Sequence, residues 1–312
     1  MDHSPNITYQ QYDDYAQSAN TLFHFMKEAK YLYTILQKHA IIPRYCVETM
    51  DYLHLNNGTR DFTEVAVLQK CFCDIPFHKL AKNIPLNGVG EAYESLTETE
   101  RIKVEKNNTH FDFYGKYAIA FSKSWGERNH LQPIHYVNKD AEYATNFSKL
   151  FEKVSGDEDI PEEYLDDVIN RLAYIKPLSG IMQRNITRDD SSKIDIDIYK
   201  NFHDEREWRY VPDTASLAAC DIKSLIANPK KLVLRNQISD QIEDDRYRSI
   251  WLSFKYDEIR YLIVPDISSR IELIETILSL DNECFEDRET IELQKHILIS
   301  KIIVLDELRK DW

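Results

Sequence analysis

The feature of this sequence that most constrains its fold is an irregular succession of short apolar runs and helical patterns. Segment 27–39 carries apolar residues at helical spacing, and so does 271–278. Runs typical of buried strands occur at 21–25, 65–76, 114–122 and 261–265. Because strands and helices do not alternate regularly, a parallel βαβ sheet is not favoured. The sequence predicts an α+β fold, with a core sheet of mixed, short strands and helical insertions.

The domain organisation follows from the same pattern. Residues 1–20 are polar and are predicted to form an N-terminal arm, and 21–312 are predicted to form a single α+β domain. Two amphipathic helical patterns at about 140–174 predict a helical insertion beside the sheet. The polar segment 180–200 is interpreted as a mobile insertion, and 231–234 as a short strand.

Charge constrains the partners of this chain. The formal net charge is -14, so the surface as a whole repels a phosphate backbone. Nucleic-acid binding is therefore disfavoured. A basic or nucleotide-like partner is accommodated more easily, and for a basic protein the opposite charges across an interface attract.

Cysteine usage and hydropathy indicate the compartment. The chain has five cysteines and no apolar run near the ~20 residues that span a bilayer. Its first residues do not resemble a signal peptide. We expect a cytoplasmic protein with free thiols and no membrane contact. The spacing of Cys71, Cys73 and His78 does not fit a zinc site, so no metal is predicted.

The segment 203–212 is the main candidate for a functional site. Read as a strand with period two, it places Glu205, Glu207 and Arg209 on one face. Two carboxylates two positions apart lie ~7 Å from each other, so one can orient a ribose hydroxyl while the other stabilises a developing cation. Arg209 can bind a phosphate or neutralise the pair. The alternative is a surface strand whose charges pair across the sheet.

Two other stretches carry candidate binding residues. His24 lies between two phenylalanines, and is either a hydrogen-bond donor to a ribose or phosphate or a core histidine bonded to backbone. Ser122 and Ser124 end an apolar strand, and Trp125 can stack on a flat ring. Their alternative is a strand exit followed by a core tryptophan.

Several stretches together resemble the AbiGi family, over roughly residues 20 to 265. The resemblance implies abortive-infection phage resistance, with an antitoxin role proposed for the family and therefore a cognate toxin encoded nearby. The stretches that carry it are Leu22-Phe23-His24-Phe25, Leu32-x-x-Ile35-Leu36, Pro43-Arg44-Tyr45-Cys46, Cys71-Phe72-Cys73-Asp74-Ile75-Pro76, Tyr114-Gly115-Lys116-Tyr117, Phe121-Ser122-Lys123-x-Trp125-Gly126, Pro133-x-x-Tyr136 and Asp204-Glu205-Arg206-Glu207-Trp208-Arg209-Tyr210.

A wider similarity is to the ADP-ribosyltransferase fold, because His24, the stretch 121–125 and Glu207 occur in the order of that fold's motifs. It implies NAD as a substrate, Glu207 as the catalytic residue that stabilises the oxocarbenium ion, and Glu205 as the residue that positions the acceptor. The chain departs from the pattern because its middle strand lacks a Ser-Thr-Ser motif. The residues that would bind NAD are His24 at the adenosine-side ribose, Arg44 at a phosphate, Ser122, Trp125 and Arg209.

Two functions follow. One is a phage-defence protein with an NAD-binding cleft, in which Glu205, Glu207 and Arg209 face a pocket close to His24 and Trp125, and which transfers ADP-ribose or hydrolyses NAD. The alternative is a non-catalytic antitoxin that binds and restrains a toxin. A fold can persist without its chemistry, so the site has to decide.

Overall fold

The computed structural model describes residues 19–84, 86–156, 160–282, 285 and 290–311. Nearly all of the arm expected at 1–20 therefore lies outside the described residues. Helices and a mixed sheet make up the rest, so the fold is α+β, as the sequence predicts.

The strands are short except for three of nine or ten residues. In chain order they are β1 Thr21–Met26, β2 Ala40–Ile41, β3 Arg44–Thr49, β4 Leu55–Asn56, β5 Asp61–Phe62, β6 Glu64–Cys73, β7 Gly88–Val89, β8 Tyr117–Ser122, β9 Gln132–Pro133, β10 His135–Val137, β11 Ile175–Pro177, β12 Ser179–Thr187, β13 Lys193–Asn201, β14 Glu207–Tyr210, β15 Leu225–Ile226, β16 Leu252–Ser253, β17 Ile259–Val264 and β18 Ile302–Val304.

The helices vary from one turn to four. In chain order they are α1 Ala29–Lys38, α2 Phe77–Leu80, α3 Gly90–Glu94, α4 Glu98–Lys106, α5 His110–Tyr114, α6 Lys123–Arg128, α7 Glu142–Gly156, α8 Glu162–Leu172, α9 Thr214–Ala219, α10 Pro229–Leu232, α11 Arg235–Gln241, α12 Ile267–Leu278, α13 Ile291–Ser300 and α14 Leu305–Asp311. Helices α7 and α8 lie in the segment where the sequence predicts a helical insertion.

The main sheet is organised around β6. Within the described residues its strand order is β18-β17-β8-β1-β6-β14-β9, and β3 and β15 also pair with β6. Strands β17 and β18 are parallel, whereas the pairs made by β6 are antiparallel. The residues from Val65 to Leu68 are fully buried, because neighbours cover both faces of this central strand.

The register of β6 fixes which side chains share a face. Cys73 is paired with Phe23 on β1 and with Glu207 on β14, and Cys71 is paired with Arg209. Residues directly opposite each other in antiparallel strands point to the same face. We call this side, with Phe23, Cys71, Cys73, Glu207 and Arg209, the glutamate face.

The other side of the same strands carries the alternate residues. We call it the histidine face and define it by His24, Lys70, Phe72 and Trp208. It packs on α1, α12 and α13, which contribute apolar side chains such as Leu36, Leu273 and Leu298 to one core cluster with Phe72. The glutamate face packs in part on α7 and α8, because Val65 and Val67 share a cluster with Phe151 and Leu172.

Two interpretations of the sequence are wrong. The segment 180–200 is not an irregular insertion. It is most of a long hairpin, in which β12 and β13 pair over nine residues each. Residues 231–234 are not a strand, because α10 ends at Leu232 and α11 begins at Arg235. A short apolar run cannot by itself distinguish a strand from a helix.

Candidate functional site

A cluster of buried charges covers the glutamate face of the sheet. Its centre is Arg209 on β14, whose side chain is fully buried. Its Nε donates to Glu207 Oε1 at 2.5 Å, and one terminal nitrogen donates to Glu48 Oε1 at 2.7 Å. The other terminal nitrogen donates to the carbonyl oxygen of Ala173 at 2.8 Å, at the end of α8. Arg209 therefore neutralises carboxylates rather than presenting a free guanidinium.

Lys176 on β11 joins the two glutamates. Its ammonium lies 2.7 Å from Glu205 Oε2 and 3.1 Å from Glu207 Oε2. The sequence predicts that Glu205 is part of the strand. In the structure it instead ends a short 3-10 turn that precedes β14. Arg206 follows in the left-handed region with φ 45°, and this lets the chain turn into β14 with both carboxylates on the same side.

Lys200 and Tyr114 complete the cluster. Lys200 Nζ lies 3.0 Å from Glu205 Oε1, and the Tyr114 hydroxyl donates to the same oxygen. Lys200 also donates to the hydroxyl oxygen of Tyr114. With Glu48, the cluster holds three carboxylates and three cations, so its formal charge is zero.

The pKa values of the cluster reflect this pairing. Burial alone would raise the pKa of Glu207, but the charges of Arg209 and Lys176 outweigh it and lower the pKa to about 2. The two glutamates likewise raise the pKa of Lys176, against the opposing effect of burial. Glu207 is therefore ionised and Lys176 is protonated at neutral pH.

Every charged group of the cluster has a partner of opposite charge within it, so we call the cluster closed. Each oxygen of Glu205 and Glu207 accepts a hydrogen bond from a cation, and both side chains are only 6% exposed. Glu205 borders a cavity of about 420 Å³ that is also lined by Lys79, Lys82 and His110. An ionised carboxylate has about four lone-pair sites, so these hydrogen bonds do not fill it, but a cationic ligand would have to compete with Arg209 and the lysines. The arrangement matches the alternative in which the charges of the strand pair with their neighbours.

His24 does not share this site. Its neighbour Phe23 lies opposite Cys73, so His24 points to the histidine face, where its ring contacts that of Phe72 at 5.5 Å between centroids. The expectation that Glu207 and His24 face one pocket is therefore wrong. The physical reason is the alternation of side chains along β1, which no local pattern relates to the register of β14.

The hydrogen bond of His24 also fixes its chemistry. Nδ1 lies 2.9 Å from the carbonyl oxygen of Cys71, so Nδ1 carries the proton and Nε2 holds a lone pair. Burial and the nearby Lys70 lower the pKa of His24 to about 3, so the ring is neutral. Nε2 can accept a hydrogen bond from a hydroxyl, but it cannot donate one to a phosphate.

His24 and Arg44 line a second cavity. Its volume is about 560 Å³, within the usual range for small-molecule sites, and Lys70 and Tyr114 also line it. Arg44 binds Glu243 at 2.6 Å and Asp240 at 2.7 Å, so its guanidinium is already paired. Two of the residues proposed to bind NAD thus line the same cavity.

Ser122 and Trp125 have structural partners. Ser122 Oγ caps α6 by accepting from the backbone N–H of Trp125 at 3.1 Å. The Trp125 ring stacks on Phe121 at 3.8 Å between centroids and is 1% exposed, while its Nε1 donates to Glu258. Neither residue lines the 420 Å³ or the 560 Å³ cavity. The structure therefore places Trp125 in the core and Ser122 at the N-terminus of α6 in a partly buried position.

The sequence alone did not single out Lys176, Lys200, Tyr114 or Glu48. Tyr114 is separated from Glu205 by 91 positions, and Glu48 from Arg209 by 161. A signal existed for Lys176, which interrupts an apolar run, and for Lys70, which with Gln69 interrupts the apolar run 65–73. Buried lysines need either a counter-ion or a ligand, so such interruptions deserve notice.

The described part of the chain lacks two other features, a metal-ligand cluster and a membrane-spanning helix. It contains no group of three or more His, Cys, Asp or Glu placed to hold a metal ion. None of its helices is both long enough and apolar enough to cross a membrane.

Comparison with known proteins gives two matches. A family model described as "Putative abortive phage resistance protein AbiGi, antitoxin" matches residues 101–265. The abortive phage resistance protein AbiGi of Lactococcus lactis subsp. cremoris is 30% identical over 281 residues, which cover 88% of this chain and 100% of that protein. No solved structure matches the chain significantly.

Proposed function

The chain belongs to the AbiGi family of abortive phage resistance proteins, and from this we propose that it is an antitoxin that restrains a toxin by binding it, without chemistry at Glu205 and Glu207. The closed charge cluster supports a role without catalysis. The observation that carries the proposal is an exposed apolar stripe on α12, which gives such a protein a surface for its partner.

The stripe consists of Ile267, Ile271, Ile274 and Leu278. Their spacing of four, three and four residues places them within about 60° around the helix axis. Three of them are 47%, 53% and 45% exposed, while Ile274 is partly buried. The opposite side of α12 carries Leu273 and Ile277, which pack in the core. Apolar residues at this spacing normally face a core, so an exposed set indicates a protein-binding surface.

Neighbouring residues indicate the chemistry of the partner. Helix α13 packs on α12 and adds Leu293 and Ile297, which are 58% and 46% exposed. Glu272, Glu275 and Glu292 are exposed on the same two helices. A partner helix with an apolar ridge flanked by lysines or arginines would complement this surface. The net charge of -14 supports the same choice of a basic toxin.

The test is co-expression with the product of the adjacent gene. We expect the wild type to co-purify with that protein and to relieve its toxicity. Ile271→Asp places a charge in the centre of the stripe and should abolish both effects, because central apolar residues dominate binding at such interfaces. Binding and neutralisation that survive Ile271→Asp would reject the stripe as the docking surface.

Two controls separate this role from other effects. Ile102→Asp changes the same residue type on α4, where Ile102 is 43% exposed, and should leave both effects intact. Glu207→Gln should also still neutralise the toxin, provided that circular dichroism shows a folded protein. Loss of neutralisation in a folded Glu207→Gln variant would contradict a function without catalysis.

A second candidate is NAD binding in an ADP-ribosyltransferase-like fold. One observation favours it: His24 and Arg44 line the same cavity, and Tyr114, whose hydroxyl bonds Glu205, lines it too. This proposal covers NAD binding alone, because Glu207 and Arg209 lie on the other face of the sheet from His24 and Ser122 and Trp125 do not line the cavity.

The second candidate is tested by calorimetry with NAD and by chromatography of NAD consumed over time. Saturable binding of NAD by the wild type would support the second candidate, and consumption that persists in Glu207→Gln would place any chemistry away from Glu207. Absence of heat at millimolar NAD would reject binding.

A further inference from the structure

The 560 Å³ cavity contains a cation without a counter-ion. Lys70 lies within β6, its side chain is partly buried, and it lines the cavity. Among the described residues, no hydrogen bond or ion pair is found for its ammonium. Arg44 also lines the cavity, but its guanidinium is paired with Asp240 and Glu243. A partly buried ammonium without an ion-pair partner favours an anionic ligand, so such a ligand would be stabilised here.

A second group in the cavity also lacks a protein partner. His24 uses Nδ1 for the carbonyl of Cys71, and among the described residues Nε2 has no hydrogen bond. Nε2 is an acceptor, so it is complementary to a hydroxyl. The rings of Phe25, Tyr31 and Tyr114 form apolar parts of the wall. The cavity therefore offers a cation, an acceptor and aromatic surface close together.

From this combination we propose that the cavity binds a phosphorylated sugar, with the phosphate on Lys70 and a sugar hydroxyl donating to His24 Nε2. A free sugar phosphate and the ribose phosphate of a nucleotide share this chemistry. The site goes beyond the antitoxin role. It also narrows the second candidate, because it assigns the phosphate to Lys70 instead of Arg44, whose guanidinium is already occupied.

The pKa of Lys70 is lowered in this cavity and would respond to a bound anion. Burial lowers its pKa, and the neighbouring Arg44 lowers it further, against the effects of Cys46, Cys71 and Glu243. A bound phosphate would favour the protonated ammonium and reverse this shift. Phosphate binding should therefore be accompanied by proton uptake near the pKa of Lys70 in the free protein.

The experiment is calorimetric titration of the full chain with ribose 5-phosphate, AMP, NAD and inorganic phosphate. We expect ribose 5-phosphate to bind more tightly than inorganic phosphate, because only the sugar phosphate supplies a hydroxyl for His24. Lys70→Met should weaken its binding tenfold or more, as expected for loss of a charge-assisted hydrogen bond. Lys82→Met removes an equal charge at the rim of the 420 Å³ cavity and should change affinity less than twofold.

The outcomes are distinguishable. No saturable binding of ribose 5-phosphate, AMP or NAD by the wild type would overturn the proposal, as would equal affinity of Lys70→Met and wild type. Tighter binding of AMP than of ribose 5-phosphate would identify a nucleotide as the source. Binding of ribose 5-phosphate without binding of NAD would reject the second candidate and leave this site standing.

If Lys70→Met fails to fold by circular dichroism, Lys70→Arg keeps the charge and serves as the second variant. A crystal structure of the wild type with ribose 5-phosphate then decides. Phosphate density within hydrogen-bond distance of Lys70 Nζ supports the site, and density elsewhere overturns it.

Discussion

His24 and Glu207 lie on opposite faces of the same sheet, because Phe23 and Glu207 both stand opposite Cys73 on β6. This relationship separates two environments that the sequence predicts as one. Glu207 belongs to a neutral, closed cluster of six charged groups. His24 belongs to an open cavity beside Lys70, which has no ion pair among the described residues. Partner binding, anion binding and fold stability can therefore be tested separately.

Lys176→Met should destabilise the fold strongly. The change leaves Glu205 and Glu207 without the ammonium that they share, at a site where both carboxylates are buried. Removal of one partner from a buried ion pair costs about 3 kcal/mol or more of the free energy of unfolding. Urea denaturation measures it. Lys193→Met, at an exposed position of β13, is the control and should stay within about 0.5 kcal/mol of the wild type.

The free energy of unfolding should decrease as the pH is lowered from about 4.5 to about 2. The pKa of Glu207 in the folded protein is about 2, below the 4.5 of a free glutamate, so the contribution of its charged form is complete above the unfolded pKa and is lost as pH falls through the folded pKa. Glu100 also has a folded pKa of about 2 and contributes in any variant that retains it. Urea midpoints of wild type and Glu207→Gln should therefore differ most near neutral pH and converge towards pH 2. A constant difference would contradict this.

Gly115→Ala should destabilise the protein more than an ordinary glycine substitution. Gly115 has φ 119°, which side chains rarely adopt, and an added Cβ would overlap the backbone carbonyl of Met26. We expect a loss of about 3 kcal/mol, because both strain and overlap must be relieved. Gly156→Ala, at the end of α7 in open space, is the matched control and should be neutral or stabilising by about 0.5 kcal/mol. Thermal unfolding of both variants checks the contrast.

Trp125→Phe should affect stability but not ligand binding. The change keeps an aromatic ring on Phe121 but removes the hydrogen bond from Nε1 to Glu258 and some packing. A loss of about 1–3 kcal/mol is expected from these two terms. The affinity for ribose 5-phosphate should be unchanged, because Trp125 does not line the cavity of His24 and Lys70. Weaker binding of ribose 5-phosphate by a folded Trp125→Phe variant would show that Trp125 contributes to the ligand site.

Much of the secondary structure is predictable from local pattern. Strands β1, β6, β8 and β17 and helices α1, α7 and α12 lie where apolar runs and helical spacing indicate them. The hairpin of β12 and β13 is not predicted by the sequence analysis. Its second strand nevertheless has the pattern of a half-buried strand, because Ile194, Ile196 and Ile198 alternate with polar residues. The high polarity of the segment concealed this period.

The sequence by itself determined that Glu207 and Arg209 share a face, because side chains two positions apart on a strand point the same way. It also determined the acidic net charge, the apolar helical pattern at 271–278 and the resemblance to the AbiGi family. Only the tertiary structure decided that Lys176, Lys200 and Glu48 neutralise the acidic strand, that His24 faces away from it, and that Lys70 remains unpaired among the described residues. These outcomes depend on strand register and on contacts between distant segments, and a shift of one residue in register would exchange the two faces.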